Sequence, residues 1–255
     1  MKDNEELRLA VLIDAENVPY SNIKGIIEEI AKYGTPTIKR IYGDWTKPTI
    51  SGWKNVLLEN AITPIQQYGY TTGKNSSDSA MIIDAMDILY SDKVEGFCII
   101  SSDSDFTRLV IRLREAGKKV FGIGERKTPN PFIVACDKFT YIEIINRPVA
   151  NHTAVNTEMV KESTSVKEPK STMIKIGNDI ITLISTSITD VADENGWAFL
   201  AEVGNLIIKK QPDFDPRNFG FPKLTPLIKT LKQFEIDERE SNNSRIKHIY
   251  VRNIK

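Results

Sequence analysis

The chain has 255 residues, 40% apolar and 27% charged, and its 34 basic side chains balance 34 acidic ones to a formal net charge of zero. That balance excludes capture of a polyanion through a global field, so any such partner must be held by local patches or by metal ions. Two cysteines in apolar surroundings, Cys98 and Cys136, and two histidines in distant polar stretches, His152 and His248, leave no disulfide framework, no Cys/His zinc set and no Ser-His-Asp triad.

The opening MKDNEELR lacks the apolar core of a signal peptide, and no apolar run reaches the ~18 residues of a membrane span. A soluble, cytoplasmic protein is expected. Strand-like runs then alternate with helix-periodic ones: RLAVLID, NIKGIIEEIAKYG, TIKRIYGDW, GWKNVLLEN, ITPIQQYG, DSAMIIDAMDILY, GFCIIS, FTRLVIRLREAG, KKVFGIG and FTYIEII. Such βαβα alternation predicts a three-layer α/β domain with a largely parallel central sheet. In FTRLVIRLREAG the apolar Phe106, Leu109, Val110 and Leu113 recur at helical spacing, Arg108, Arg112 and Arg114 fall outside that stripe, and Gly117 suits a C-terminal stop. DSAMIIDAMDILY is apolar nearly all round, which predicts a helix buried deep in the domain.

Residues 147–173 are rich in Ser, Thr, Lys, Glu and Asn and contain no aromatic residue, so they bury too little apolar area to offset their ordering entropy. They read as a flexible linker between an α/β domain over 1–146 and a small domain over 174–255. The small domain reads as three helices, in IKIGNDIITLISTSITDVADENG, WAFLAEVGNLIIKKQ and FPKLTPLIKTLKQF, then two strands, EIDERE and RIKHIYVRN. Three helices closed by a two-stranded wing describe a winged helix-turn-helix. Trp197, Leu200, Val203 and Leu206 form the apolar stripe of its second helix, and Leu224, Leu227, Ile228 and Leu231 that of its third. Candidates for polyanion contact are Arg217, Lys223, Lys229, Lys232, Arg245 and Lys247.

Four carboxylates carry the chemical reading. Asp14 ends the first strand, Asp103 and Asp105 close the run CIISSDSD, and Asp78 opens the apolar helix. Each has a plain alternative as a turn former or helix cap. A parallel sheet, however, gathers groups at the carboxyl ends of its strands. Carboxylates brought together without matching Lys or Arg repel one another unless a divalent cation compensates them, and hard oxygen ligands suit Mg²⁺ or Mn²⁺. The expected site is a metal-dependent phosphodiesterase centre that needs no histidine base. Lys74, in TTGKNSSD, adds a positive charge for a phosphate, and Asn17 an amide for a water or phosphate oxygen. Asp84 and Asp87 lie further along the helix, where a surface position is the simpler account.

At these residues the first domain resembles the NYN family of PIN-like nuclease domains, in particular its LabA-like branch. The matching text is VLIDAENV, GKNSSDSAMIIDAMDILY, CIISSDSDFTRLVIRLREAGKKVFGIGE and PFIVACDKFTYIE. The second domain resembles the OST-HTH/LOTUS family through GWAFLAEVGN and PDFDPRNFGFPKL. The first resemblance implies a PIN-like sheet and RNA cleavage, with Asp14, Asp78, Asp103 and Asp105 as catalytic metal ligands and with Asn17 and Asp84 in the pocket; the second implies RNA binding. The combined expectation is an endoribonuclease using Mg²⁺ or Mn²⁺, with RNA and a second copy of the chain as partners, and with neither a membrane nor an organic cofactor. The alternative is a non-catalytic RNA-binding adaptor. A Toprim-like nuclease fits less well, because its first-strand acid is normally Glu and Asp78 goes unexplained.

Overall fold

The computed structural model describes residues 6–50, 52–68, 76–145, 175–240 and 247–254. These fall into two compact units, one N-terminal and one C-terminal. The stretch read as a linker, and the candidates Lys74 and Arg245, lie outside the described residues.

In the N-terminal unit the described strands are β1 (Arg8–Asp14), β2 (Thr35–Gly43), β3 (Thr63–Gln66), β4 (Gly96–Ile100), β5 (Lys119–Gly124) and β6 (Lys138–Tyr141). All pair in parallel in the order β3-β2-β1-β4-β5-β6. Between them run α1 (Ile23–Ile30), α2 (Trp53–Glu59), α3 (Ser76–Ser91), α4 (Thr107–Glu115) and α5 (Asn130–Ala135), and α6 (Ile142–Ile145) follows the last strand. The chain starts in the middle of the sheet, builds outward to β3, and returns through α3 to begin the other half at β4. The carboxyl ends of β1 and β4 therefore flank the point where the strand order reverses, which is where open α/β sheets form a crevice.

Strand alternation then decides which side chains reach that crevice. Leu9, Val11 and Ile13 point into one core, with Ile26 and Ile30 of α1 and Trp53 of α2, while Ala10 and Leu12 join the other, with Met81, Leu109 and Phe132 from α3, α4 and α5. With both faces covered, β1 reads as an unbroken apolar run. Asp14 continues the Ala10 and Leu12 set, on the side of α3. By the same count Ser101 continues Phe97 and Ile99 of β4.

Helix α4 forms as its pattern predicts: Phe106, Leu109, Val110 and Leu113 are buried, and Gly117 takes a left-handed φ of 78° that other residues rarely adopt. Helix α3 departs from expectation. Met81, Ala85, Ile88 and Leu89 face the core, but Ile83 is 63% and Tyr90 73% exposed. An all-round apolar pattern carries no direction, and only the position of the sheet selects the inward face. FTYIEII also divides, its strand ending at Tyr141 and the rest forming α6. Both cysteines are buried, and burial pushes the Cys136 thiol up to about 12 and that of Cys98 higher, so both are inert hydrophobes.

The C-terminal unit contains α7 (Asn178–Val191), β7 (Ala198–Phe199), α8 (Leu200–Lys210), α9 (Leu224–Lys229), β8 (Phe234–Glu240) and β9 (Lys247–Asn253). The strands form an antiparallel sheet in the order β7-β9-β8, which makes the unit winged-helix-like. The third strand was not expected. Ala198 and Phe199 read as the start of a helix, but they pair with Val251 and Tyr250. Leu200, Val203 and Ile207 form the buried stripe of α8, with Ile207 in the place expected of Leu206. Trp197 lies outside that stripe, its ring covered by the guanidinium groups of Arg239 and Arg252. Among the described residues no helix is long and apolar enough to cross a membrane.

Candidate active site

Asp14 is the last residue of β1 and only 2% exposed. Burying a carboxylate is costly unless donors surround it, and three do. Ser101 Oγ donates to its Oδ2 at 2.8 Å, Asn17 Nδ2 to the same oxygen at 2.6 Å, and the Glu16 backbone N–H to Oδ1 at 3.0 Å. Burial nonetheless outweighs these bonds and holds the Asp14 carboxyl above the usual carboxylate range.

The Ser101 hydroxyl also accepts the backbone N–H of Asp103 at 3.0 Å, which ties the end of β1 to the loop after β4. In that loop Asp103 caps a 3-10 turn, Ser104–Phe106, by accepting the Asp105 N–H at 2.9 Å. The cap therefore holds Asp103 and Asp105 in a fixed relation. Asp78, 9% exposed, stands in the first turn of α3 on the same side of the sheet. Oxygens of Asp78, Asp103 and Asp105 all lie within 4.8 Å of one another. Asp14 stands outside that set of three but close enough for its charge to act on Asp78.

This crowding has an electrostatic cost. Burial, followed by the charges of Asp14, Asp103, Asp105 and Glu16, pushes the Asp78 carboxyl up to about 6. The set suits a hard divalent cation: octahedral Mg²⁺ holds ligands at about 2.0–2.1 Å, so oxygens on opposite sides stand about 4 Å apart, inside the 4.8 Å limit within which these three oxygens lie. Asp103 is half-buried and Asp105 exposed, which leaves an open side for water or phosphate.

The other expected site residues fare differently. Asn17 is at the site, committed through its amide to Asp14. Asp84, expected in the pocket, is bound by the Arg40 guanidinium and the Tyr42 hydroxyl. Six residues after Asp78 on a 3.6-residue helix, it points about 120° away, toward β2. Burial, followed by the bond to Asp84 and the Asp84 charge, raises the Tyr42 phenol well above its ordinary value. In the C-terminal unit Arg217 is locked by a fork of bonds to its own Asp215, at 2.6 to 3.1 Å. Lys229 pairs with Glu238 at 2.9 Å and Lys247 stands 3.9 Å from the same carboxylate, whereas Lys223 and Lys232 are exposed. Ser101 carries no motif of its own in the sequence; its only signal is that it follows two strand residues of its own face, Phe97 and Ile99, that are both buried.

Residues 8–143 match the NYN domain and residues 175–246 the OST-HTH/LOTUS domain. No curated protein matches the chain. Among solved structures, a protein of unknown function from Vibrio parahaemolyticus is similar at 22% identity and a TM-score of 0.46, over 56% of this chain and 96% of that one. An uncharacterized protein from Nitrosomonas europaea is similar at 28% identity and a TM-score of 0.29, over 38% of this chain and 93% of that one. A third, from Chromobacterium violaceum, is 35% identical over 28% of this chain and 76% of that one, with a TM-score of 0.24. The doubly wound sheet with acids at its switch point and the winged unit that follows agree with the two matches, and the chain belongs to the NYN domain family of PIN-like nuclease domains, joined here to an OST-HTH/LOTUS domain.

Proposed function

We propose that the protein is a divalent-metal-dependent endoribonuclease whose α/β domain cuts RNA phosphodiester bonds and whose C-terminal domain captures the RNA. The observation that carries this reading is the convergence of the Asp78, Asp103 and Asp105 oxygens within 4.8 Å at the switch point of a PIN-like sheet. Those three side chains would hold Mg²⁺ or Mn²⁺. Such an ion, when bound, supplies a nucleophilic water at neutral pH and charge stabilisation at phosphorus.

The remaining roles belong to the chain. Asp14 is a positioning residue: fixed by Ser101, Asn17 and the Glu16 N–H, it orients the Asn17 amide and adds negative charge next to Asp78. The Asp103 cap holds its loop in one conformation, so less ordering remains when substrate arrives. Asn17 and Lys74, the latter four residues before Asp78 in sequence, are assigned to the RNA backbone. Asp84 is assigned to the fold, fastening α3 to β2 through Arg40 and Tyr42.

In the C-terminal domain the exposed Lys223 and Lys232, together with Arg245 and Lys247, are the assigned phosphate contacts, while Arg217 shapes the turn before α9. Residues 147–173 act as a tether that keeps captured RNA at high local concentration near the cutting domain. The test is cleavage of labelled RNAs of varied structure with Mn²⁺, Mg²⁺ or EDTA. Metal-dependent internal cuts that vanish in Asp103→Asn support the proposal. Retained RNA binding with no cleavage by the wild type under any metal would instead identify a binding adaptor.

A further inference from the structure

A cleft of about 560 Å³ opens beside the acid cluster, on the other side of the loop that follows Asp14. Glu16 and Asn17 form the shared wall: Asn17 bonds Asp14, and the Glu16 charge acts on Asp78. The floor is apolar, with Val18, Ile50 and the buried Trp53. At the rim stands Tyr20, 49% exposed, its ring edge-on to Trp53 with centroids 6.5 Å apart. Glycine at position 52 permits this seat, because a Cβ there would meet the Tyr20 ring at 2.7 Å.

Two ammonium groups reach the same cleft from other strand-end loops. Lys47 comes from the segment after β2 and pairs with Glu16 at 2.8 Å, and Lys127 comes from the segment after β5 and pairs with Glu125 at 2.5 Å. Both lysines are solvent-exposed, and surface pairs of this kind contribute little to stability. Each ammonium has three donors, so it can keep its carboxylate and still take an anion. The cleft thus offers one flat, half-exposed ring over an apolar floor with cations at the edge. That combination suits a planar heterocycle carrying a phosphate, and the volume lies within the range of ligand-sized pockets.

We infer that this cleft is a nucleotide subsite, seating one base of the RNA strand against Tyr20 and the adjoining phosphate between Lys47 and Lys127, next to the bond to be cut. The substrate class rests on the nuclease reading above; the cleft, its ring and its cations do not. Neither lysine, nor Tyr20, stands out in the sequence, since the three come from three different strand-end loops and lie far apart in the chain.

The probe is adenosine 5′-monophosphate, titrated calorimetrically into the full chain in EDTA, with adenosine as comparison. The nucleotide is expected to bind about tenfold more tightly than the nucleoside, Lys47→Ala and Lys127→Ala each to weaken the nucleotide alone by about threefold or more, and Tyr20→Ala to weaken both by about tenfold. Tyr20→Phe keeps the ring and is expected to bind like the wild type. Asp103→Asn, outside the cleft, is expected to leave binding in EDTA intact. Equal affinity for nucleotide and nucleoside, no nucleotide binding up to ~10 mM, or indifference to both Tyr20→Ala and Lys127→Ala would overturn the inference. The surface change Lys127→Ala keeps that judgement independent of any folding defect in Tyr20→Ala. Nucleotide binding of the expected pattern in a chain that cuts no RNA upholds the cleft and removes the nuclease reading. RNA cleavage whose KM ignores both substitutions removes the cleft and leaves the nuclease.

Discussion

Replacing Asp78 with asparagine should make the metal-free protein more stable, because the native acid is held where its charge is unwelcome. Its carboxyl rises from 3.8 to about 6 on folding, a rise worth roughly 3 kcal/mol. The folded state binds this proton more tightly than the unfolded state, so the favourable contribution of protonated Asp78 is complete below pH 3.8 and is lost as pH rises through about 6. Asparagine stays neutral throughout. Its advantage is therefore largest at pH 8, at about 3 kcal/mol less the ~0.3–1 kcal/mol that an anion gains in the first turn of a helix, falls to about half by pH 5, and nearly disappears by pH 3.5. In calorimetric scans of the full chain in EDTA at pH 8, the transition of the α/β domain should rise by roughly 5–9 °C. Saturating Mn²⁺ should raise the wild-type transition but not that of Asp78→Asn. Equal or lower stability of the variant in EDTA at pH 8, or a gap that widens toward pH 5, would refute the electrostatic reasoning.

Asp103→Asn should cut Mn²⁺-dependent RNA cleavage by about a hundredfold or more while leaving RNA retention in a gel-shift assay unchanged; a smaller loss argues that Asp103 does not hold the ion. Ser101→Ala removes one of three donors to a buried carboxylate and should cost about 1–3 kcal/mol in urea denaturation, together with weaker Mn²⁺ binding by calorimetry, whereas Ser101→Thr should recover part of both. Deletion of everything after residue 150 should raise the apparent Kd for RNA by about a hundredfold and leave single-turnover cleavage at saturating RNA nearly intact. If the truncated chain loses the chemical step instead, the tether reading fails.

Much of this protein is legible from local pattern. The buried run RLAVLID and the stripe of α4 are each specified by neighbours a few residues away, through strand or helix period. The same holds for the candidate acids Asp14, Asp78, Asp103 and Asp105, which announced themselves by falling at the ends or starts of those elements. Where the local signal is mixed, pattern alone misplaces residues. Ala198 and Phe199 look like a helix start because their partners, Val251 and Tyr250, arrive only some fifty residues later. The all-round apolar α3 gave no sign that Ile83 and Tyr90 would face outward.

What the order of residues determined alone was a repertoire: parallel βα units, a winged unit, and a set of acids with no histidine to assist them. Tertiary structure decided which members of that repertoire meet. The reversal of strand order between β1 and β4, and the alternation that turns Asp14 and Ser101 toward α3, bring oxygens of three carboxylates within 4.8 Å of one another and lodge the fourth among hydrogen-bond donors. Tertiary packing likewise gave Asp84 to Arg40, 44 residues away in sequence. A side chain's charge is written in the sequence, but the partner that neutralises it is set by distance, and distance between remote segments exists only once the chain has folded.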